Sequence, residues 1–297
     1  MKVIPKTSKF ILLMALLFSS NLLAGGLFTD RYPSARFSAM GGSGVAISND
    51  AWATFYNPAG LSQLHFWQAG SAYNRLFNAR FLTNIFGAAA LPISQRWGTI
   101  AVGLEYFGVN YEGQSISGEY TLRFSHGFYL LKDIHSSLAI GYTLNIFHWK
   151  LGTSPLYGNL GSATTLGMDL GFLATIYGRT SVGITVTNIN TPQLGAVTPV
   201  DLPQRVVAGI SYQPYDGVVT TLDLNRQIGS DVTEMWAGGE FSPTSFLKIR
   251  LGATRNPNRF TAGFGIRYHY FQLDYALATH SELGLSHMLT IMVWKKQ

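Results

Sequence analysis

Three groups of residues in this chain have types and spacings that invite a chemical reading. Gly41-Gly42-Ser43-Gly44 has the small residues of a phosphate-cradling turn. It lacks the Gly-Lys-Ser/Thr ending and the long helix that such a loop needs, so it reads as a flexible turn. The seven His include no pair at the spacing of a helical zinc motif. His126, His148 and His269 fall at strand ends or in an interior. Ser286 and His287 are neighbours, and neighbouring side chains of a strand point to opposite faces, which separates a nucleophile from its base. On these grounds the sequence assigns no catalytic residue, no metal ligand and no cofactor.

The third group is a set of charges. Glu240, Lys248, Arg250, Arg267 and Asp274 all fall on one side of consecutive segments that alternate apolar and polar residues, and Glu105, Glu119, Arg123, Asp169 and Asp223 do the same elsewhere. Two roles suit them: an interior ion-pair network that docks another part of the chain, or a polar track or latch that releases when a ligand or partner binds. Either way the elements carrying these residues must enclose something.

Composition says what those elements are. The chain is 47% hydrophobic and only 12% charged, whereas a soluble domain is about a quarter charged. Yet no segment after the first two dozen residues approaches the roughly twenty apolar residues of a membrane-spanning helix. Backbone polar groups in hydrocarbon must be paired within the protein, and a closed sheet is the other way to do it. Lys2, Lys6 and Lys9, the apolar run Phe10 to Phe18 and the small residues Ser19, Ser20 and Ala24 read as a secretory signal peptide over 1–24. Removing those three Lys takes the formal charge of +6 to +3. The remaining cations are scattered and make no nucleic-acid footprint. Absence of Cys excludes disulfides and a lipoprotein anchor and suits an oxidising periplasm.

From residue 65 the period-two alternation is sustained. Leu138, Ile140, Tyr142, Leu144 and Ile146 form one face of a strand, and Ala139, Gly141, Thr143 and Asn145 the other. Segmented this way, residues 65–297 give an all-β fold: a transmembrane antiparallel β-barrel of about fourteen strands, from 65–74 to 286–294. The longest connections, 108–118, 150–163 and 189–202, fall on one side, which places them outside and both termini in the periplasm. Trp67, Trp97, Tyr106, Trp149, Tyr177, Tyr212, Tyr268, Tyr270 and Trp294 lie near strand ends, where interfacial girdles form. Outward charges near the midplane would each cost about 2–4 kcal/mol, so confinement of the charged set to one face supports the register.

Residues 25–64 break the pattern. Asn49 or Asp50 suits the cap of a short helix, and Pro58 after Asn57 suits the first position of another helical turn and enforces a corner. Such a compact, Gly-rich segment fits a plug, or hatch, folded into the lumen. The run Ala35-Arg36, Met40-Gly41-Gly42, Val45-Ala46, Asn49-Asp50 and Tyr56-Asn57-Pro58-Ala59-Gly60-Leu61 resembles the N-terminal signature of the FadL-type outer-membrane transporter superfamily, and more closely its PorV/PorQ-like branch. Gly263-Phe264-Gly265, Leu273-Asp274-Tyr275-Ala276, Glu282-Leu283-Gly284 and Ser286-His287 resemble that branch too.

The resemblance implies a fourteen-stranded outer-membrane barrel with its hatch seated by the Asn57-Pro58-Ala59 corner. It also implies a non-enzymatic docking or shuttle barrel of type IX-like secretion, with outer-membrane lipid and secretion-machinery or cargo proteins as partners. A FadL-type transporter of small hydrophobic molecules is the alternative, and a general porin the second. A docking barrel would touch protein through 150–163 and 189–202. A transporter would carry an apolar pocket beside the plug and a gap in the wall. A porin would have an open aqueous lumen. Two features depart from the FadL pattern: the chain is short, and it ends Trp294-Lys295-Lys296-Gln297 rather than on an aromatic residue.

Overall fold

The computed structural model of the chain describes residues 27–28, 31–154, 158–195 and 199–295; the expected signal peptide lies outside them. Fourteen antiparallel strands pair in chain order and close into a barrel. They are β1 (Gln68–Arg75), β2 (Leu82–Ser94), β3 (Gly98–Tyr111), β4 (Gln114–Lys132), β5 (Ser136–Leu151), β6 (Ser162–Ile176), β7 (Thr180–Thr187), β8 (Arg205–Tyr215), β9 (Val218–Gln227), β10 (Thr233–Phe241), β11 (Leu247–Arg255), β12 (Arg259–Tyr268), β13 (Phe271–His280) and β14 (Gly284–Trp294). The seam is made by β14 against β1, with Gln68 opposite Trp294 and Arg75 opposite His287. Closure leaves no full-length sheet edge, the condition for a sheet in a medium without water. Among the described residues no helix is long and apolar enough to cross a membrane.

The predicted alternation holds in the sheet. On β5, Ala139, Gly141, Thr143 and Asn145 are buried, while Tyr142 and Leu144 are exposed. The exposed face continues round the wall through Leu104, Phe124, Leu166, Ile184, Ile210, Leu224, Leu251, Phe264 and Leu289. Monomeric soluble proteins rarely expose contiguous apolar patches beyond a few hundred Å². A surface that is apolar around its whole circumference is one that suits hydrocarbon.

Connections on one side are tight, whereas the other side mixes tight turns with longer connections that carry extra structure. The 108–118 stretch, read as a loop, is instead a continuation of β3 and β4, with Tyr111 opposite Gln114. Glu112 and Gly113 alone make the turn, both at positive φ (48° and 79°), the geometry that matches the twist of flanking strands. Glu-Gly lacks the Asn or Asp that usually announces such a turn. Connections 152–161 and 188–204 each hold a two-residue ribbon, Thr153–Ser154 with Gly158–Asn159 and Gln193–Leu194 with Val200–Asp201. The second turns inward: Leu194 and Leu202 are buried against Phe28 and Phe147.

At the short-turn rim Trp67, Trp97, Tyr177, Tyr212, Tyr268 and Tyr270 are exposed, as a girdle requires. Trp149 and Trp294 are corrections to the predicted girdle. Both turn inward, Trp149 donating to Ser117 Oγ at 2.9 Å and Trp294 joining the main core.

Candidate functional site

The residues singled out in 31–64 form three short turns of helix. They are α1 (Ala35–Ser38), α2 (Ala53–Tyr56) and a 3₁₀ helix over Pro58–Gln63. Asn57 ends α2 because its backbone is extended (φ −152°, ψ 104°), and its side chain accepts from Ala59 N at 3.1 Å, capping the next turn with Pro58 at its start. Its amide nitrogen donates to Val45 O at 2.9 Å and to Phe172 O of β6 at 3.0 Å. One side chain thus shapes the corner and ties it to the wall. Gly60 is needed because a Cβ there would overlap the carbonyl of Ser48. Gly41 and Gly42 have φ of 75° and 89°, and a Cβ on Gly41 would sit 2.8 Å from the carbonyl oxygens of both Ala237 and Ala253.

Capping differs from the sequence reading. Asp50 Oδ1 accepts from Trp52 N at 3.0 Å, one turn before α2, and α2 has no side-chain cap. Asn49 caps nothing and accepts from Arg36 Nη1 at 2.7 Å.

The segment lies against the inward face of the wall. Phe37, Met40, Trp52, Phe55, Tyr56 and Leu61 share a core with Ala72, Phe86, Ala88 and Ala101. Phe55 meets Phe86 edge-on at 5.6 Å. Close approach is made possible by inward glycines on many strands, a device the sequence reading did not single out. A Cβ on Gly141, Gly171 or Gly183 would collide with Pro58, Asn57 or Val45, and one on Gly238, Gly252 or Gly263 with Met40, Gly41 or Ala39. The signal was present as Gly recurring at inward positions, where a strand pattern marks close backbone approach.

The predicted charges are brought together, with one exception. Arg250, fully buried, donates to Glu240 Oε2 and to Asp274 Oδ1, each at 2.7 Å, and Lys248 reaches Glu240 at 3.0 Å. Arg36 of α1 completes the group, 3.3 Å from Glu240 and 3.5 Å from Asp50. Burial pushes the Asp50 carboxyl above its ordinary value against the opposing pull of Arg36. Arg267 does not join: it is exposed and stacks over the Trp294 ring at 4.6 Å. The stagger of β12 puts it at the lumen mouth, beyond reach of the carboxylates.

Elsewhere Arg31 pairs with Glu105 at 2.8 Å and with Glu119. Asp223 accepts from Gly44 N and Val45 N at 2.8 and 3.0 Å. Asp169 instead binds within the wall, to Arg123 at 3.3 Å and Asn145 at 2.8 Å. Glu105, Glu119, Asp223 and Glu240 therefore hold the N-terminal segment from two pairs of neighbouring strands, β3 with β4 and β9 with β10. Arg31 was missed because nothing local distinguishes it.

Two cavities adjoin these contacts. One, of about 20 Å³ beside Arg31, Phe55 and Glu105, has room for about one water. The other, of about 230 Å³, opens at the short-turn mouth between Arg36, Asp50, Lys248, Arg267, Gln272 and Trp294. Charged side chains line both. Among the described residues no group of His, Asp and Glu side chains is placed to hold a metal ion.

No protein-family model and no curated protein matches the chain. Solved structures do. A FadL homologue from Pseudomonas aeruginosa is similar over 90% of this chain and 99% of its own, with 12% identity and a TM-score of 0.60. The architecture is that of a FadL-type barrel. The toluene transporter TodX of Pseudomonas putida matches over 91% of this chain and 98% of its own, at 13% identity and a TM-score of 0.60. The toluene transporter TbuX of Ralstonia pickettii matches over 87% and 96%, at 14% identity and a TM-score of 0.57. At such identities the likeness is one of fold, and nothing in it singles out the PorV/PorQ branch.

Proposed function

We propose that the mature chain is a non-enzymatic outer-membrane channel for small hydrophobic molecules. In this reading residues 1–24 direct export, 25–64 plug a barrel of residues 65–297, and both termini lie in the periplasm. The observation that carries it is an N-terminal segment packed on the inward face of the wall and held there by polar contacts, in a barrel whose fold is shared with toluene transporters. A general porin needs an open aqueous path, and the packed core of segment and wall argues against one. Passage requires the segment to shift, which polar contacts and glycine-backed packing allow more readily than a covalent tie.

The test is uptake of the fluorescent probe N-phenylnaphthylamine by cells with an intact outer membrane. Production of the protein should raise the uptake rate above that of an empty vector, and equal rates would oppose the channel reading. A second reading, a secretion-associated docking barrel, is favoured by one observation: charged side chains line both of the cavities described. Crosslinking in native membranes separates the two, since docking requires protein adducts to the 152–161 and 188–204 connections.

A further inference from the structure

On the outward face of the strands, charge is sorted by sign and by height. Every strand carboxylate, from Glu105 on β3 to Asp274 on β13, belongs to the inward set. The outward cations Arg75 on β1, Lys150 on β5, Arg226 on β9 and Arg255 on β11 all stand at the long-connection ends of their strands. None of the four pairs with a carboxylate among the described residues. Arg226 lies opposite Thr233 and Arg255 opposite Met235, both on β10. The two guanidinium-bearing strands are therefore two strand spacings apart, about 10 Å. At the seam, Arg75 is paired across the ladder with His287, whose Nδ1 lies 2.7 Å from the hydroxyl of Tyr275.

On the outward face of the strands at this rim the charges are therefore cations with no carboxylate partner among the described residues, the nearest acidic residues being in the connections, at Glu112, Asp231 and Glu282, and such a face suits anions that come to it from outside. Their height, just beyond the apolar band, is where lipid phosphates lie. The wall adds a second observation. β4, β5 and β6 run to 19, 16 and 15 residues against 8 for β1 and β7. Above the apolar band this taller wall stops being apolar. Tyr106 and Tyr120 pack at 4.9 Å, the outward Gly108 and Gly118 stand above them, and His148 Nδ1 lies 2.8 Å from Thr164 Oγ1. Aromatic faces, hydroxyls and an imidazole suit a headgroup layer containing sugar, thicker than a simple phosphodiester.

We infer that this rim is a cationic collar that binds the phosphorylated headgroups of a glycolipid, packed against the long-connection side of the barrel. The inference rests on the membrane-spanning reading and names the leaflet lipid that the barrel takes as partner. Arg75, Lys150, Arg226 and Arg255 supply the phosphate contacts, and the tall β3–β6 wall supplies the saccharide surface.

The experiment uses the full mature chain, reconstituted in phosphatidylcholine vesicles with no additive, with bisphosphorylated lipid A, or with phosphatidylglycerol at matched charge. Lipid retained on repurification and the midpoint of thermal unfolding are measured. Lipid A should raise the midpoint and be retained. The variant R75Q/K150Q/R226Q/R255Q should insert normally yet retain about tenfold less or fewer still. R75K/R226K/R255K, which keeps the charge, should retain it, as should the opposite-rim control R96Q/K295Q. Equal retention by the glutamine variant would overturn the inference, and so would an equal response to phosphatidylglycerol. Should the glutamine variant not fold, loss of retention by wild type in about 0.5 M salt supplies the same test, because exposed charges are screened there. Failure of the wild type to insert at all would sink the membrane reading itself, a distinguishable result.

Discussion

Asp223 offers the sharpest test of how the N-terminal segment is held. It stands on β9, fully buried, and one carboxylate oxygen accepts from Gly44 N at 2.8 Å and Val45 N at 3.0 Å. Ser43 Oγ and Thr221 Oγ1, 2.8 Å apart, extend the same clasp. Asp223→Ala leaves two buried N–H groups without their acceptor, at about 1–3 kcal/mol each, so about 2–6 kcal/mol in all. Water entering the space would move the figure to the lower end. Asp223→Asn keeps one oxygen and loses only the charge, about 1 kcal/mol, since charge-assisted bonds are roughly twice as strong as neutral ones.

The chain has no Cys, so a thiol at Ala51, buried in the segment's core, reports release of the segment without background. Maleimide labelling of Ala51→Cys protein in detergent follows the population of opened states when reclosing is fast. Asp223→Ala should speed it by about 30-fold to about 10⁴-fold, at 1.4 kcal/mol per decade, and Asp223→Asn by about fivefold. An Asp223→Ala rate within about threefold of the parent, with the barrel still resistant to heat in detergent, would refute the assignment of this clasp.

Arg250→Leu strands Asp274 in the lumen and takes one of three cations from Glu240, and should cost about 3–5 kcal/mol in urea unfolding from lipid vesicles. Adding Asp274→Asn should recover part of it, because Glu240 keeps Arg36 and Lys248. Gly141→Leu drives a side chain into Pro58 and Ala59 and should cost about 1–3 kcal/mol with faster labelling at position 51. Gly87→Leu, on the outward face with nothing nearer than 3.9 Å, should leave the labelling rate unchanged. Arg267→Leu loses only stacking on Trp294, about 0.5–1 kcal/mol; a loss as large as that of Arg250→Leu in the same unfolding assay would return Arg267 to the ion network.

The sequence by itself determined the strands, their number and their faces, because alternation is a property of consecutive residues and a one-residue slip would turn a charge to hydrocarbon. It also determined the Asn57-Pro58 corner, which rests on dihedral restrictions of two adjacent residues. Tertiary structure alone decided which inward groups meet. Arg36 and Glu240 are separated by 204 positions, and only the path of the segment through the closed barrel puts one beside the other. The same path selects Arg31 and leaves Arg267 at the mouth. It also gives the inward glycines their role, since a missing side chain carries no pattern until another backbone occupies the space it leaves.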